Sequence, residues 1–170
     1  MYGDFVKGPL KGDYPAELEA AIQLHRRIDA WTDQHPQPGK ARGRFQPELR
    51  RYSGIVLDVF FDHCLAAHWQ DYADEPLMQF TQRVYQVLQD QADLPGRLQQ
   101  MAPYLIEDDW LGSYREFAVL RQVLHGMSRR MRCPQLEAVF WPQLQQHYGE
   151  LLQDFRTFYP QLQQFVRQQI

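Results

Sequence analysis

Lysine is nearly missing from this chain. Three lysines, all within the first 40 residues, stand against 15 arginines in a total of 170. Acids outnumber bases by 21 to 18, a formal charge of -3, which excludes a generally basic nucleic-acid binder. Cysteine is scarce too. Cys64 and Cys133 make no C-x-x-C spacing, so they form no zinc site by themselves, and a disulfide between them is not required. No run of about 18 apolar residues occurs, so no segment reads as a membrane span. The opening MYGDFVKGPLKGDYP has no apolar signal-peptide core. A cytoplasmic location is the expectation. Sustained apolar–polar alternation between turn pairs is also missing, which removes the signature of strands and hairpins. What is present is 44% apolar and 14% aromatic residues, too many for a disordered chain and enough to fill the core of one domain over residues 1–170.

The apolar residues recur at helical spacing. Leu18, Ala21, Ile22, His25 and Ile28 form a stripe on a first helix opening at Pro15. Residues 34–39, rich in proline and ending in glycine, break it. A second helix is expected from Pro47 to about Asp71. It carries Tyr52, Ile55, Val56, Val59, Phe60, His63, Ala66 and Ala67 on one face, and Leu57, Phe61, Leu65 and Trp69 elsewhere. A helix apolar nearly all round is a central, buried one. A third helix follows Asp74-Glu75-Pro76, and a short one ends near Pro103. Another runs from Asp108-Asp109 to Gly126, and a last long one from Pro134 to about Tyr159, kinked or restarted at Pro142. Pro160 then opens a tail. The pattern predicts an all-α, single-domain helical bundle.

Polar residues on inward faces are the sharpest signal. His25 and Asp29 stand four apart, so they stack on the first stripe. His63 lies in the main stripe of the central helix, with Asp62 at its edge and Asp58 one turn earlier. A buried ionised carboxylate costs several kcal/mol unless it is paired or bound to metal. Two helices that each turn His and Asp inward can build a site for Mn, Fe, Zn or Mg. The plainer alternatives are a hydrogen-bonded core histidine, a local His25–Asp29 pair, and an Asp62 paired with Arg26 or Arg27. His35 reads as a solvated loop residue, His68 as a surface residue or a support behind the site, and His125 and His147 as structural.

The arginines cluster. Lys40, Arg42, Arg44, Arg50 and Arg51 have only Glu48 among them, and Arg121, Arg129, Arg130 and Arg132 have no intervening acid. Either group suits phosphate or an acidic partner, and either could be a plain solvated face. In Gly3-Asp4-Phe5-Val6-Lys7-Gly8, Asp4 offers a further carboxylate or a turn residue.

Three blocks in order carry a likeness to a known family. They are Gly3-Asp4-Phe5-Val6-Lys7-Gly8, then His25-Arg26-Arg27-Ile28-Asp29, then Leu57-Asp58-Val59-Phe60-Phe61-Asp62-His63 with His68-Trp69. Together with Gly126-Met127 and His147-Tyr148 they resemble the acyl carrier protein phosphodiesterases, over essentially the whole chain. The resemblance implies a helical fold related to the HD phosphohydrolases, though with Asp62-His63 in place of a His-Asp doublet. It implies a metal-dependent hydrolase, usually supported by Mn2+ with Mg2+ or Fe2+ as alternatives, that removes 4′-phosphopantetheine from holo-acyl carrier protein. It also implies an apolar, His-containing segment ahead of the Gly-Asp-Phe block, of which this chain is expected to be short. On this reading Asp4, His25, Asp62 and His63 supply metal ligands or their supports. Asp29 or Asp58 orients a ligand or holds the attacking water, and Arg26 or Arg27 neutralises phosphoryl charge. Arg42, Arg44, Arg50, Arg51, Arg129 and Arg130 dock the acidic carrier protein. An HD-type nucleotide phosphohydrolase and a non-catalytic helical module that binds an acidic partner are the rival expectations.

Overall fold

Every regular element among the described residues is helical, as expected. The computed structural model of the chain describes residues 6, 8–91, 94 and 96–169. Pro15, extended at ψ 142°, starts α1 (Ala16–Gln34), and Glu17 and Glu19 favour its positive end. His35 then breaks the chain and at once caps the next helix, its Nδ1 accepting from the Gln37 amide at 3.2 Å. This corrects the solvated-loop expectation. Pro36 and Pro38 sit in the short helix α2 (Pro36–Arg42), whose first turn needs no amide donor. The His35 ring also packs on Trp31 and Phe158, with centroids 4.6 and 5.2 Å away.

The predicted central helix is present but divided. Pro47–Tyr52 is a 3-10 segment with a break at Leu49 (φ -119°, ψ 29°), α3 is Ser53–Ala67, and a further 3-10 turn covers Trp69–Asp71. Then come α4 (Leu77–Asp90), α5 (Gly96–Glu107), α6 (Trp110–Ser113), α7 (Val119–Arg130), α8 (Gln135–Gln146) and α9 (Tyr148–Arg167). Prolines mislead three times. α5 continues through Pro103, α8 through Pro142 and α9 through Pro160. Each proline is exposed, and so is the residue four before it (Gln99, Ala138, Arg156). The faces that lose the bonds are thus turned to solvent, which softens the usual penalty. The helix expected from Asp108 to Gly126 is instead α6 and α7 with a turn between. Asp109 is left-handed at φ 42°, held by the Tyr85 hydroxyl donating to its Oδ1 at 3.0 Å. A Cβ at Gly112 would run into the Asp109 carboxylate, so a larger residue there would have to push that carboxylate off Tyr85.

α3 lies at the centre. Val56, Leu57, Val59, Phe60 and Cys64 are buried against Leu120 and Leu124 of α7, Leu136, Phe140 and Leu144 of α8, and Leu151 and Phe155 of α9. Tyr85, Leu88, Leu98 and Leu105 make a separate, smaller core between α4 and α5. Cys64 and Cys133 are buried and free, so the disulfide that the sequence left open is not formed. One ion pair ties the α2–α3 connection to α9. Arg44 Nε donates to Asp154 Oδ2 at 2.6 Å and its Nη2 to Oδ1 at 3.2 Å, with Lys40 3.5 Å away. Asp154 is only 1% exposed.

Arg44→Met should leave that buried carboxylate largely uncompensated. The expected loss is about 3 kcal/mol, read as a lower urea midpoint at unchanged m-value.

Candidate active site

The two motif helices meet at one pocket. α1 contributes Asp29, Thr32 and Asp33, α3 contributes Asp58 and Asp62, and Phe61, Phe155 and Phe158 line the apolar part of a cavity of about 510 Å³. Asp29 and Asp33 are one helical turn apart, as are Asp58 and Asp62, so each helix presents two carboxylates along its axis. His25 Nδ1 stands 3.1 Å from Asp29 Oδ2, as the spacing predicted. The face is not the buried one expected, however. Asp29 is 61% exposed, and Asp58 and Asp62 are exposed as well. α1 is a two-sided helix at the rim of the bundle, and water reaches its acids.

The pocket still changes the chemistry of one of them. The Asp58 pKa is pushed up to about 6, first by desolvation within the pocket, then by the negative charge of Asp33, against the opposing field of Arg42 and with a further push from Asp29. Asp58 is ionised at neutral pH yet basic enough to take a proton, the property asked of a general base. Asp33 was not expected in the site, and Arg42 was expected to dock the carrier protein rather than to face the carboxylates. The i+4 spacing of Asp33 from Asp29 was readable, whereas only the fold brings Arg42 over the first turn of α3, its Nη1 3.8 Å from where a Cβ at Gly54 would stand.

His63 belongs elsewhere. It is 2% exposed. The Tyr114 carbonyl accepts from Nδ1 at 2.7 Å, which sets the tautomer and leaves Nε2 to accept from the Tyr148 hydroxyl at 2.9 Å. Phe60, Phe117 and Tyr148 ring it. Burial pushes its pKa down, so it is held neutral. Both ring nitrogens are used, and the structure does not bring His63 to the carboxylates: adjacent residues on a helix point about 100° apart. His63 is the hydrogen-bonded core histidine that the sequence left open as the plainer alternative.

The arginines also divide. Arg44 is consumed by Asp154, which corrects its assignment to docking. Arg26 donates to the Val6 carbonyl at 3.1 Å and Arg27 to Gln169 Oε1 at 3.1 Å, so both fasten chain ends to α1. Arg50, Arg51, Arg129 and Arg130 are exposed, Arg51 lying over the Tyr52 ring at 4.7 Å. Arg121 and His125 share Glu137, at 2.9 and 3.0 Å. His68 stands 3.9 Å from Asp71 and His147 3.9 Å from Glu150. Asp4 lies outside the described residues. The carboxylate pocket offers the hard oxygen donors that a divalent cation prefers, and mutual repulsion at Asp58 is what such a cation would relieve. Among the described residues, no three His, Cys, Asp or Glu side chains converge as a ready-made set of ligands.

A helical bundle that gathers carboxylates from two separated motifs around one open pocket, one of them tuned to accept a proton near neutrality, has the makings of a hydrolase. The sequence profile of the acyl carrier protein phosphodiesterase family matches residues 1–162, and the chain belongs to that family. It is 40% identical over 166 residues to the acyl carrier protein phosphodiesterase of Klebsiella pneumoniae subsp. pneumoniae, covering 95% of this chain and 85% of the relative. It is 39% identical over 173 residues to that of Pectobacterium atrosepticum, covering 99% and 89%. With the Yersinia pestis protein of the same name it shares 39% over 163 residues, covering 94% and 84%. No solved structure matches the chain. No helix among the described residues is long and apolar enough to cross a membrane.

Because folding raises the Asp58 pKa from the ordinary 3.8 to about 6, the folded state binds the extra proton between those values. Asp58 therefore favours folding below about pH 4, and that contribution is lost as pH rises through 6. Asp58→Asn should flatten this part of the stability curve and gain stability relative to wild type above pH 6, as read from urea unfolding at pH 4, 5, 6 and 7.

Proposed function

We propose that the chain hydrolyses the phosphodiester joining 4′-phosphopantetheine to a serine of acyl carrier protein. The observation that carries this reading is the meeting of the HRRID and LDVFFD carboxylates at one pocket, in a chain of this family. Water bound in the pocket gives its proton to an Asp58 oxygen and attacks phosphorus. The bond from phosphorus to the serine oxygen breaks, that oxygen takes up a proton, and the arm leaves as a phosphomonoester. Arg42, whose field already reaches Asp58, counters the charge that builds on the phosphoryl oxygens. A divalent cation, Mn2+ before Mg2+ or Fe2+, is part of the proposal. Asp29 and Asp62, with His25 beside Asp29, are the residues that would hold it, which leaves Asp58 to take the proton. When bound it supplies Lewis-acid polarisation of the phosphoryl group and a more acidic water.

Incubation with holo-acyl carrier protein and Mn2+ should remove the mass of the arm from the carrier protein. Asp58→Asn and Asp62→Asn should each lower kcat by about 100-fold or more while leaving the helical signal intact. The kcat/KM profile should fall on the acid side with a midpoint near 6, the Asp58 value. Mn2+ should also raise the urea midpoint of the wild type but not of Asp62→Asn, since binding only the folded state stabilises it. Unchanged carrier-protein mass would sink the reading.

The carrier protein's negative charge suits the exposed arginines left after Arg44 is set aside. KM for holo-acyl carrier protein should rise with added NaCl. It should also rise in Arg129→Glu/Arg130→Glu, with a shallower salt dependence and little change in kcat.

A further inference from the structure

A second cavity begins where the acidic pocket ends. Asp62 and Leu65 line both. From them the second cavity runs between α3 and the α4–α6 segment, with a volume of about 510 Å³, a size ordinary for a small-molecule site. Ala66, Trp69, Phe80, Trp110 and Tyr114 form its walls. These walls are held in place by one another and by residues outside the cavity. The Trp69 indole N–H donates to the Glu75 carbonyl at 2.7 Å, and its ring packs on Phe80 with centroids 4.6 Å apart. Tyr114 is fixed through its carbonyl by the buried His63 at 2.7 Å. The indole donor of Trp69 is thus already used, and the lining that remains is chiefly apolar. A ligand held here must bring apolar bulk close to whatever group sits at Asp62.

The phosphodiester of the proposed reaction has two substituents. One is a serine on a folded protein, too wide for a cleft between helices. The other is the pantetheine arm, whose first carbons beyond the phosphate oxygen are a methylene and a quaternary carbon bearing two methyl groups. Only the second is slender and apolar next to phosphorus. Resting on the proposed reaction, we infer that this groove is the subsite for the arm. The dimethyl group packs against Leu65, Ala66 and Trp69, and the rest of the arm runs on towards Trp110. The walls are preformed, so little ordering entropy opposes binding. The groove would then distinguish a phosphopantetheinylated serine from an ordinary phosphodiester.

Two variants of opposite kind test this. Ala66→Trp fills the groove, and Trp110→Ala, at a rim position 36% exposed, removes one wall. Binding of 4′-phosphopantetheine itself, followed by titration calorimetry, needs no turnover. It should weaken about tenfold in each variant. KM for holo-acyl carrier protein should rise about as much, with kcat within about twofold of wild type. Melting temperature and helical signal identify a variant that has failed to fold, and the other then decides. Wild-type affinity for 4′-phosphopantetheine in a folded variant overturns the assignment, as does a fall in kcat at unchanged KM. If the wild type binds 4′-phosphopantetheine but releases none from the carrier protein, the groove stands and the hydrolytic reading falls.

Discussion

The rest of the structure depends on the need to cover α3. Its apolar residues occupy nearly its whole circumference, and each large one left in water would cost about 1.5–3 kcal/mol. Other helices must therefore wrap it. α7, α8 and α9 bury Val56, Leu57, Phe60 and Cys64, and α2 with the Pro47–Tyr52 segment closes over its start. What they leave open is a narrow strip on which Asp58 and Asp62 stand, exposed, with Phe61 and Leu65 half-covered beside them. The candidate site is that strip. α1 and α9 border it on one side and make the acidic pocket. The α4–α6 segment borders it on the other and makes the apolar groove. Two unlike chemistries thus sit against one helix because the helix is too apolar to be bare and too acidic on one edge to be fully enclosed.

Packing and electrostatics then divide the polar residues of α3 between different tasks. His63 turns inward and spends both ring nitrogens on Tyr114 and Tyr148, which stabilises the core and steadies a wall of the groove. Asp58, five residues earlier on the open strip, keeps access to water but is crowded by Asp33 and Asp29. Each outcome follows from where the residue faces. A neutral histidine tolerates burial when both nitrogens are matched, whereas a carboxylate needs a compensating cation as well. The arginines sort themselves by the same logic. Arg44 compensates the buried Asp154 and holds two parts of the bundle together, while Arg129 and Arg130 at the exposed end of α7 stay available to an acidic partner.

Most of the fold could be read from spacing. The stripe from Leu18 to Ile28, the all-round apolarity of α3, and the missing strand alternation point to a helical bundle with α3 at its centre, and the structure agrees. Errors gathered at prolines and turns. Pro103, Pro142 and Pro160 do not end their helices, since the faces that lose the bonds are turned to solvent. His35 looked like a loop residue because nothing local shows that Phe158, far along the chain, will pack on it beside Trp31. In the site, the i+4 pair His25–Asp29 and the acids of the LDVFFD segment were legible. Arg42 was read only as a docking residue, since its approach to Asp58 depends on how α2 folds back over α3.

The order of residues by itself determined the helical class, the buried centre, and which acids could share a face, because those follow from periods of 3.6 and from hydrophobic area. It also carried the family likeness, through motifs that survive without any coordinates. Only the tertiary structure decided which way each polar side chain of α3 looks, which arginines are consumed internally, and that the acidic pocket opens onto an apolar groove. Those depend on contacts between residues far apart in sequence: His63 with Tyr148, Arg44 with Asp154, Asp58 with Asp33. The physical reason is that a helix period names a face but not its neighbour. Whether a face meets water, a carbonyl or another charge is settled when the helices pack.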